Sequence, residues 1–148
     1  MSIKKRPSLV RAPDTPKVPH TSGEIDKVEN KFFRWRVNSR YLDLDHKEWG
    51  WETQLDIKEF FNLLEGHLHR FEATEWSELQ KQKSCHPLPV EKIIDRAQRR
   101  LSEKCPPGID SLFQIKVGGK HRVWGERKED ILYLIWYDPN HTIYPVGQ

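Results

Sequence analysis

The clearest patterning lies in the last third of the chain. Leu112 to Val117, Lys120 to Glu126 and Ile131 to Tyr137 are β-type runs, separated by Gly118-Gly119 and by Lys128-Glu129-Asp130. Connections that short force antiparallel neighbours. The run 131–137 is almost continuously apolar, as suits a central strand covered on both faces. Residues 111–145 are therefore expected to form a three-stranded antiparallel meander. Asp138-Pro139-Asn140 breaks the last strand, and His141-Thr142-Ile143-Tyr144 follows as an extended end.

Upstream the period changes twice. Phe33, Trp35 and Val37 alternate with Arg34 and Arg36, which predicts a strand over 31–37 with one buried face. Tyr41-Leu42-Asp43-Leu44-Asp45 reads as a second short strand or a continuation of the first. From about residue 54, Ile57, Phe60, Phe61, Leu64, Leu68 and Phe71 recur at three- and four-residue spacings, the apolar stripe of a helix. Gly66 in its middle costs about 1 kcal/mol relative to Ala and suggests close packing. Thr74 is placed to cap a short helix from Glu75 to Gln82, with Trp76 and Leu79 facing inward. After Pro87-Leu88-Pro89, a helix is expected from Val90 to Glu103, burying Ile93, Ile94, Ala97 and Leu101. Cys105-Pro106-Pro107-Gly108 stops it. The order implies an α+β fold with helices packed on one face of a mostly antiparallel sheet, leaving the other face open as a working surface.

Composition narrows this picture. A chain of 148 residues can bury a core without disulfides. Residues 1–30 hold Pro7, Pro13, Pro16 and Pro19 among Lys, Arg, Ser and Thr, and read as a flexible basic tail; 31–148 read as a single α+β domain. Cys85 and Cys105 match no CxxC spacing, so a disulfide framework is not expected and a reducing cytoplasm is. No apolar stretch resembles a signal-peptide core or a membrane span, so no membrane partner is expected. The net charge of +3 permits a polyanionic partner without requiring one.

Candidate chemistry gathers on the meander, in Lys116, Lys120, His121, Arg122, Arg127, His141 and Tyr144. Adjacent strands can bring Arg122 and His141 together at the sheet edge. An arginine can stabilise the charge of a phosphoryl-transfer transition state, and a histidine can move protons to or from a ribose 2′-OH. Against this stands an ordinary surface role, with Arg122 paired to Glu126 or Asp130. Arg96, Arg99 and Arg100, together with Arg34-Trp35-Arg36, offer the basic and aromatic mixture that single-stranded RNA binding uses. The competing reading is a solvated helix face. His67 and His69 are two apart and cannot share a helical face, and Cys85-His86 completes no tetrahedral set, so neither metal nor other cofactor is expected. Trp49-Gly50-Trp51 reads as a corner where two indoles cap the core's edge.

The run Leu112-Phe113-Gln114-Ile115-Lys116-Val117, then Lys120-His121-Arg122-Val123-Trp124, then Asp130-Ile131-Leu132-Tyr133-Leu134-Ile135-Trp136 and His141 resembles the C-terminal half of the RelE/ParE-like toxin superfamily. The YoeB-type ribosome-dependent endoribonucleases are the form it is most similar to. That resemblance implies a β-α-α-β-β-β order and a metal-independent endoribonuclease. Arg122 would stabilise the phosphate, His141 would act as acid and base, and Tyr144 would be a further catalytic candidate. Lys116, Lys120, His121, Arg96, Arg99 and Arg100 would then meet RNA. The implied partners are ribosome-bound mRNA and an inhibitory antitoxin protein. The chain departs from the family pattern in the Asp138-Pro139-Asn140 insertion before the histidine and in a longer helical middle. The family's helix-borne acidic or lysine residue finds no match in this chain, although Glu103 and Lys104 lie in about the right place. Phe71 to Trp76, with the Trp-Gly and Asp-Pro-Asn-His segments, also looks like uncharacterised small bacterial proteins. A non-catalytic RNA- or protein-binding module on the same scaffold is the alternative reading. A structural subunit of a phage or mobile-element complex is a third.

Overall fold

The computed structural model describes residues 28–83 and 85–145, so the predicted tail falls, up to residue 27, outside the described residues. The expected meander is present as β3 (Ser111–Lys116), β4 (Arg122–Lys128) and β5 (Ile131–Asp138), each antiparallel to the next. Gly118 and Gly119 both take positive φ at the first turn, where a side chain would be strained. Two short strands extend the sheet to the order β1-β5-β4-β3-β2. β1 (Arg34–Arg36) lies parallel to β5, so the sheet is mixed. β2 (His86–Pro89) lies antiparallel to β3.

The pattern of residues did not predict β2, because two prolines argue against a strand. Pro87 and Pro89 are two apart and β2 is an edge strand, so both missing N–H groups fall on the outer side. There they also blunt the edge against further pairing. This strand interrupts the predicted element order. The Tyr41–Asp45 segment, by contrast, leaves a turn and runs on without forming a strand. Asp43 N–H donates to the Ile135 carbonyl, and Trp51 N–H donates to Asp43.

Both faces of the sheet are covered, which corrects the expectation of one open face. On the first face Phe113, Ile115, Val117, Val123, Leu132, Leu134 and Tyr137 pack with Trp51, Leu63, Leu68, Trp76 and Leu79. These come from α1 (Trp51–Gln54), α2 (Ile57–Leu63), a π-helical turn (Leu64–Leu68) continued by α3 (His69–Phe71), and α4 (Trp76–Leu79). On the second face Leu112, Trp124, Ile135 and Trp136 pack with Tyr41, Trp49, Ala97, Leu101 and Ile143. Ala97 and Leu101 belong to α5 (Asp95–Lys104), which follows a 3-10 turn at Val90–Lys92 instead of running unbroken from Val90. The physical reason lies in the strands themselves. Neighbours such as Leu112 and Phe113, or Val123 and Trp124, point to opposite sides and are all buried. Leaving either side wet would forfeit roughly 25 cal/mol for each Å² of apolar surface.

A bulge between β4 and β5 completes this arrangement. Trp124 lies opposite Trp136 and Gly125 opposite Leu134, which leaves Ile135 as the extra residue. Ile135 and Trp136 consequently both enter the second core. Gly125 is required there, because a Cβ would run into the Tyr133 carbonyl. The predicted Trp49-Gly50-Trp51 corner joins the two cores: Trp49 fills the second and Trp51 the first. A Cβ on Gly50 would meet the backbone of Leu44 and His46.

The predicted stripe on residues 57–71 is only partly buried. Ile57 is 81% and Phe61 60% exposed, while Leu63 and Leu68 face the core. The Asp56 carboxylate and Glu59 form a reciprocal capping box that starts α2. The π turn then breaks the regular spacing, so one unbroken helical stripe does not describe the segment. Gly66 sits in open space, not at a close contact. Thr74 caps nothing; Glu75 holds the N-cap position of α4 without a side-chain bond.

Candidate functional site

A polar row crosses the end of the meander on the second face. Lys116 lies opposite Arg122, and Arg122 opposite Asp138. The adjoining row is Gln114, Trp124 and Trp136. Arg122 is only 8% exposed. Its Nη1 donates to the carbonyls of Gly119 (2.8 Å) and His121 (3.2 Å), which anchors the guanidinium to its own turn. Its Nε is buried and has no partner among the described groups. Burial pulls the Arg122 pKa down, with Asp138 and Cys85 acting the other way, but a guanidinium remains a cation in any protein.

His141 stands beside this row on a tightly tied loop. Asp138 Oδ1 accepts from the Thr142 N–H (3.1 Å) and hydroxyl (3.2 Å), and Oδ2 accepts from the Ile143 N–H (2.9 Å). Trp49 Nε1 donates to the Thr142 hydroxyl at 2.9 Å, which fastens the loop to the second core. His141 takes a φ of 58°, a left-handed conformation uncommon for a residue other than glycine. Its Nε2 is buried and unpartnered. Burial lowers the His141 pKa, the Arg122 cation lowers it further, and Asp138 opposes both. The imidazole is therefore neutral at physiological pH, and it lies within the electrostatic reach of Arg122. Among the described residues no hydrogen bond joins His141 to Arg122.

Three more buried atoms on this face lack partners, Gln114 Oε1, Trp124 Nε1 and the carboxylate oxygen Glu126 Oε1. The other indoles each have an acceptor. Trp51 donates to the Ile135 carbonyl, Trp76 to the Asp130 carbonyl, Trp136 to Asp43, Trp49 to Thr142 and Trp35 to Glu72. An unsatisfied buried polar group costs roughly 1–3 kcal/mol, so a concentration of them calls for a physical explanation.

The remaining predicted residues separate into distinct places. Lys116 and Lys120 are exposed at the same sheet end. His121 is exposed on the opposite face, its Nδ1 2.6 Å from the Tyr137 hydroxyl and its ring stacked on Tyr137. Tyr144 packs against the second core. Arg96 bonds Glu48 at 2.9 Å and lies over the Trp49 ring. Arg100 grips Asp43 with two bonds of 2.8 Å and Asp45 with one of 2.9 Å. Arg99 is exposed and, among the described residues, forms no ion pair. The arginine face is therefore largely occupied within the fold. Arg34 pairs with Asp130 at 3.4 Å, and Arg127 lies over Trp76 and bonds Glu29. The expected Arg122 pairing with Glu126 or Asp130 does not occur.

Cys85 and Cys105 are free and buried. Burial pushes both thiols up, Cys105 to about 11, which leaves them protonated and poor nucleophiles near neutrality. Among the described residues no three His, Cys, Asp or Glu side chains are grouped as metal ligands would be.

One cluster escaped the reading of the sequence. The π turn brings His67 to a groove of about 290 Å³, lined also by Leu55, Glu59, Asn62, Leu63 and Tyr137. Burial lowers the His67 pKa, and Arg70 and His121 lower it further. Burial raises the Tyr137 pKa, with help from Glu59 and Asp138. π turns inside helices occur often at functional sites, but no residue spacing announces one.

Fold and site together define an α+β chain whose mixed five-stranded sheet ends in a cationic, partly unpaired polar row. No helix among the described residues is long and apolar enough to cross a membrane. Comparison with family models, curated proteins and solved structures gives no match.

Proposed function

We propose that this protein is a metal-independent endoribonuclease of the RelE-like kind, acting on RNA at the Lys116–Arg122–His141 end of the meander. The observation that carries the reading is that Arg122 and His141 each keep a buried nitrogen without a partner, with Lys116 opposite Arg122 across β3 and β4. A phosphate supplies the acceptor that the Arg122 Nε–H lacks, and a ribose 2′-OH supplies the donor that the His141 Nε2 lacks. His141, neutral at physiological pH, accepts the proton of the ribose 2′-OH. The 2′-oxygen then bonds to the adjacent phosphorus as the bond to the 5′-oxygen breaks. Water protonates the leaving oxygen, and a 2′,3′-cyclic phosphate remains. Arg122 and Lys116 stabilise the charge that builds on the phosphoryl oxygens. An antitoxin-type partner would act by covering this end of the sheet, since both broad faces are already occupied by the chain's own elements.

The test is incubation of single-stranded RNA with the purified protein in the presence of a chelator, followed by analysis of the new ends. Cyclic phosphate termini are expected from the wild type, with loss in Arg122→Ala and His141→Ala; growth should arrest when the wild type is expressed. RNA left intact by wild type, or cleaved equally by both variants, ends the enzymatic reading.

The burial of Arg122 favours a second reading, a non-catalytic RNA-binding module on the same surface. It predicts salt-dependent affinity that falls in Arg122→Ala, with no strand scission.

A further inference from the structure

The groove beside His67 lies at the same end of the sheet as the Arg122 row, but on the first face. Sequence neighbours link the two places. His121 and Tyr137 belong to the groove side, and Arg122 and Asp138 to the row. The exposed Gly118-Gly119 turn closes this end of β3 and β4. A strand of RNA passing over this end would therefore meet both.

The two places differ in charge. The row offers Lys116, Arg122 and the exposed Lys120. The groove is lined by the Glu59 carboxylate, which repels a phosphate, together with the Asn62 amide and the His67 imidazole. Leu55 and Leu63 supply flat apolar walls. At its border the His121 ring stacks on Tyr137 at 5.8 Å with an interplanar angle of 21°, and His121 itself is exposed. A nucleobase has apolar faces suited to such a ring and an edge of mixed donors and acceptors suited to carboxylate, amide and imidazole.

We propose, resting on the RNA reading above, that this groove seats one unpaired nucleobase of the strand whose phosphate lies at Arg122 and His141. Asn62, Glu59 and His67 read the edge of the base, and His121 stacks against its face. The groove thereby sets the sequence preference of the cut, while the row holds the backbone irrespective of sequence.

The experiment uses free nucleosides, which carry a base and no phosphate. Adenosine, guanosine, cytidine and uridine are titrated into the full chain while the histidine ring resonances are followed by NMR, assigned through single His→Gln variants. One or more nucleosides should move the His67 and His121 signals and leave His141 unmoved. Asn62 is exposed, so Asn62→Leu should fold normally and weaken nucleoside binding about tenfold, the loss of roughly one good hydrogen bond. Arg122→Ala should leave nucleoside affinity unchanged. If RNA is bound or cut at Arg122 and His141 while no nucleoside at millimolar concentration moves either groove signal, the base-pocket inference fails and the ribonuclease reading stands. Unchanged nucleoside affinity in both Asn62→Leu and His67→Phe also overturns the inference. If nucleosides seat in the groove while RNA is neither bound nor cut, the ribonuclease reading falls and the groove stands as a nucleoside site.

Discussion

Arg100 and Arg122 are both drawn toward the second face of the sheet, and they differ in how fully their donors are used. Arg100 reaches from α5 into the 43–45 segment, where Asp43 takes it in a two-bond grip and Asp45 adds a third bond. Asp43 is fully buried and also accepts from Trp136 Nε1 at 2.9 Å. Burial pushes its carboxyl up, but Arg100 and the Trp136 N–H more than offset this and hold it below the ordinary carboxylate range. Arg122 has carbonyls for one nitrogen, no close carboxylate bond, and an unpartnered Nε. The first arginine is consumed in assembling the molecule. The second is positioned by it and keeps capacity for something else.

The sharpest way to break this contrast is to remove one acceptor from the satisfied side. Asp43→Ala leaves the Trp136 N–H unpaired and Arg100 with only its bond to the exposed Asp45, and should lower stability by roughly 3–5 kcal/mol in urea unfolding. A loss near zero would show that the network is not structural. On the other side, Arg122→Ala should reduce RNA cleavage by about 10²–10³-fold, as removal of a single transition-state donor does. Its unfolding midpoint should move far less than that of Asp43→Ala. Equal destabilisation by the two substitutions, with RNA handling intact in Arg122→Ala, would erase the distinction.

Acid should act on the fold in two stages, the histidines first and Asp43 later. His46, His67 and His141 all have folded pKa values below the ordinary 6.5. In each case the unfolded chain takes up a proton that the folded chain resists, so stability should decline as pH falls through 6.5 toward the folded values. Asp43 is depressed below 3.8, so its contribution is present above that value and disappears as pH falls through the folded pKa. Urea midpoints measured from neutrality to acid should show both stages, with the first reduced in His141→Gln. A smaller effect is expected of His141→Gly, which relieves the left-handed backbone and should stabilise the fold by about 1 kcal/mol while abolishing cleavage. Least of all, Ile57→Lys should stay within about 0.5 kcal/mol, because that side chain is already in solvent.

The meander was legible because its turn residues and apolar runs agree at every step. Its burial on both sides was written in the same residues, in Leu112-Phe113 and Val123-Trp124, and an open face was the wrong conclusion to draw from the order of elements. β2 was hidden because the strand consists half of proline and is tolerated only by its edge position. The helical stripe failed at Ile57 and Phe61 because local period cannot reveal where a π turn intervenes. At the site, the antiparallel strands place Arg122 and Asp138 opposite one another, and His141 follows on the loop beyond the ladder. Arg96 and Arg100 could be offered only as an RNA-binding face or a solvated one, because their acceptors, Glu48, Asp43 and Asp45, come from a loop about fifty positions away in the chain. His67 and Tyr137 meet only through tertiary packing.

The bulge at Ile135 has a consequence for the chemistry as well as for the core. Side chains on a strand follow the parity of residue number, and one extra residue inverts that parity for everything downstream. Before the bulge, even numbers such as Leu132 and Leu134 point to the first core; after it, the odd Tyr137 does. Were Ile135 instead paired with Trp124 in a regular ladder, Tyr137 would come opposite Arg122, and the Asp138 carboxylate, with the loop it ties, would pass to the other side of the sheet. A single unpaired residue thus decides which side of the sheet receives acid and which receives phenol.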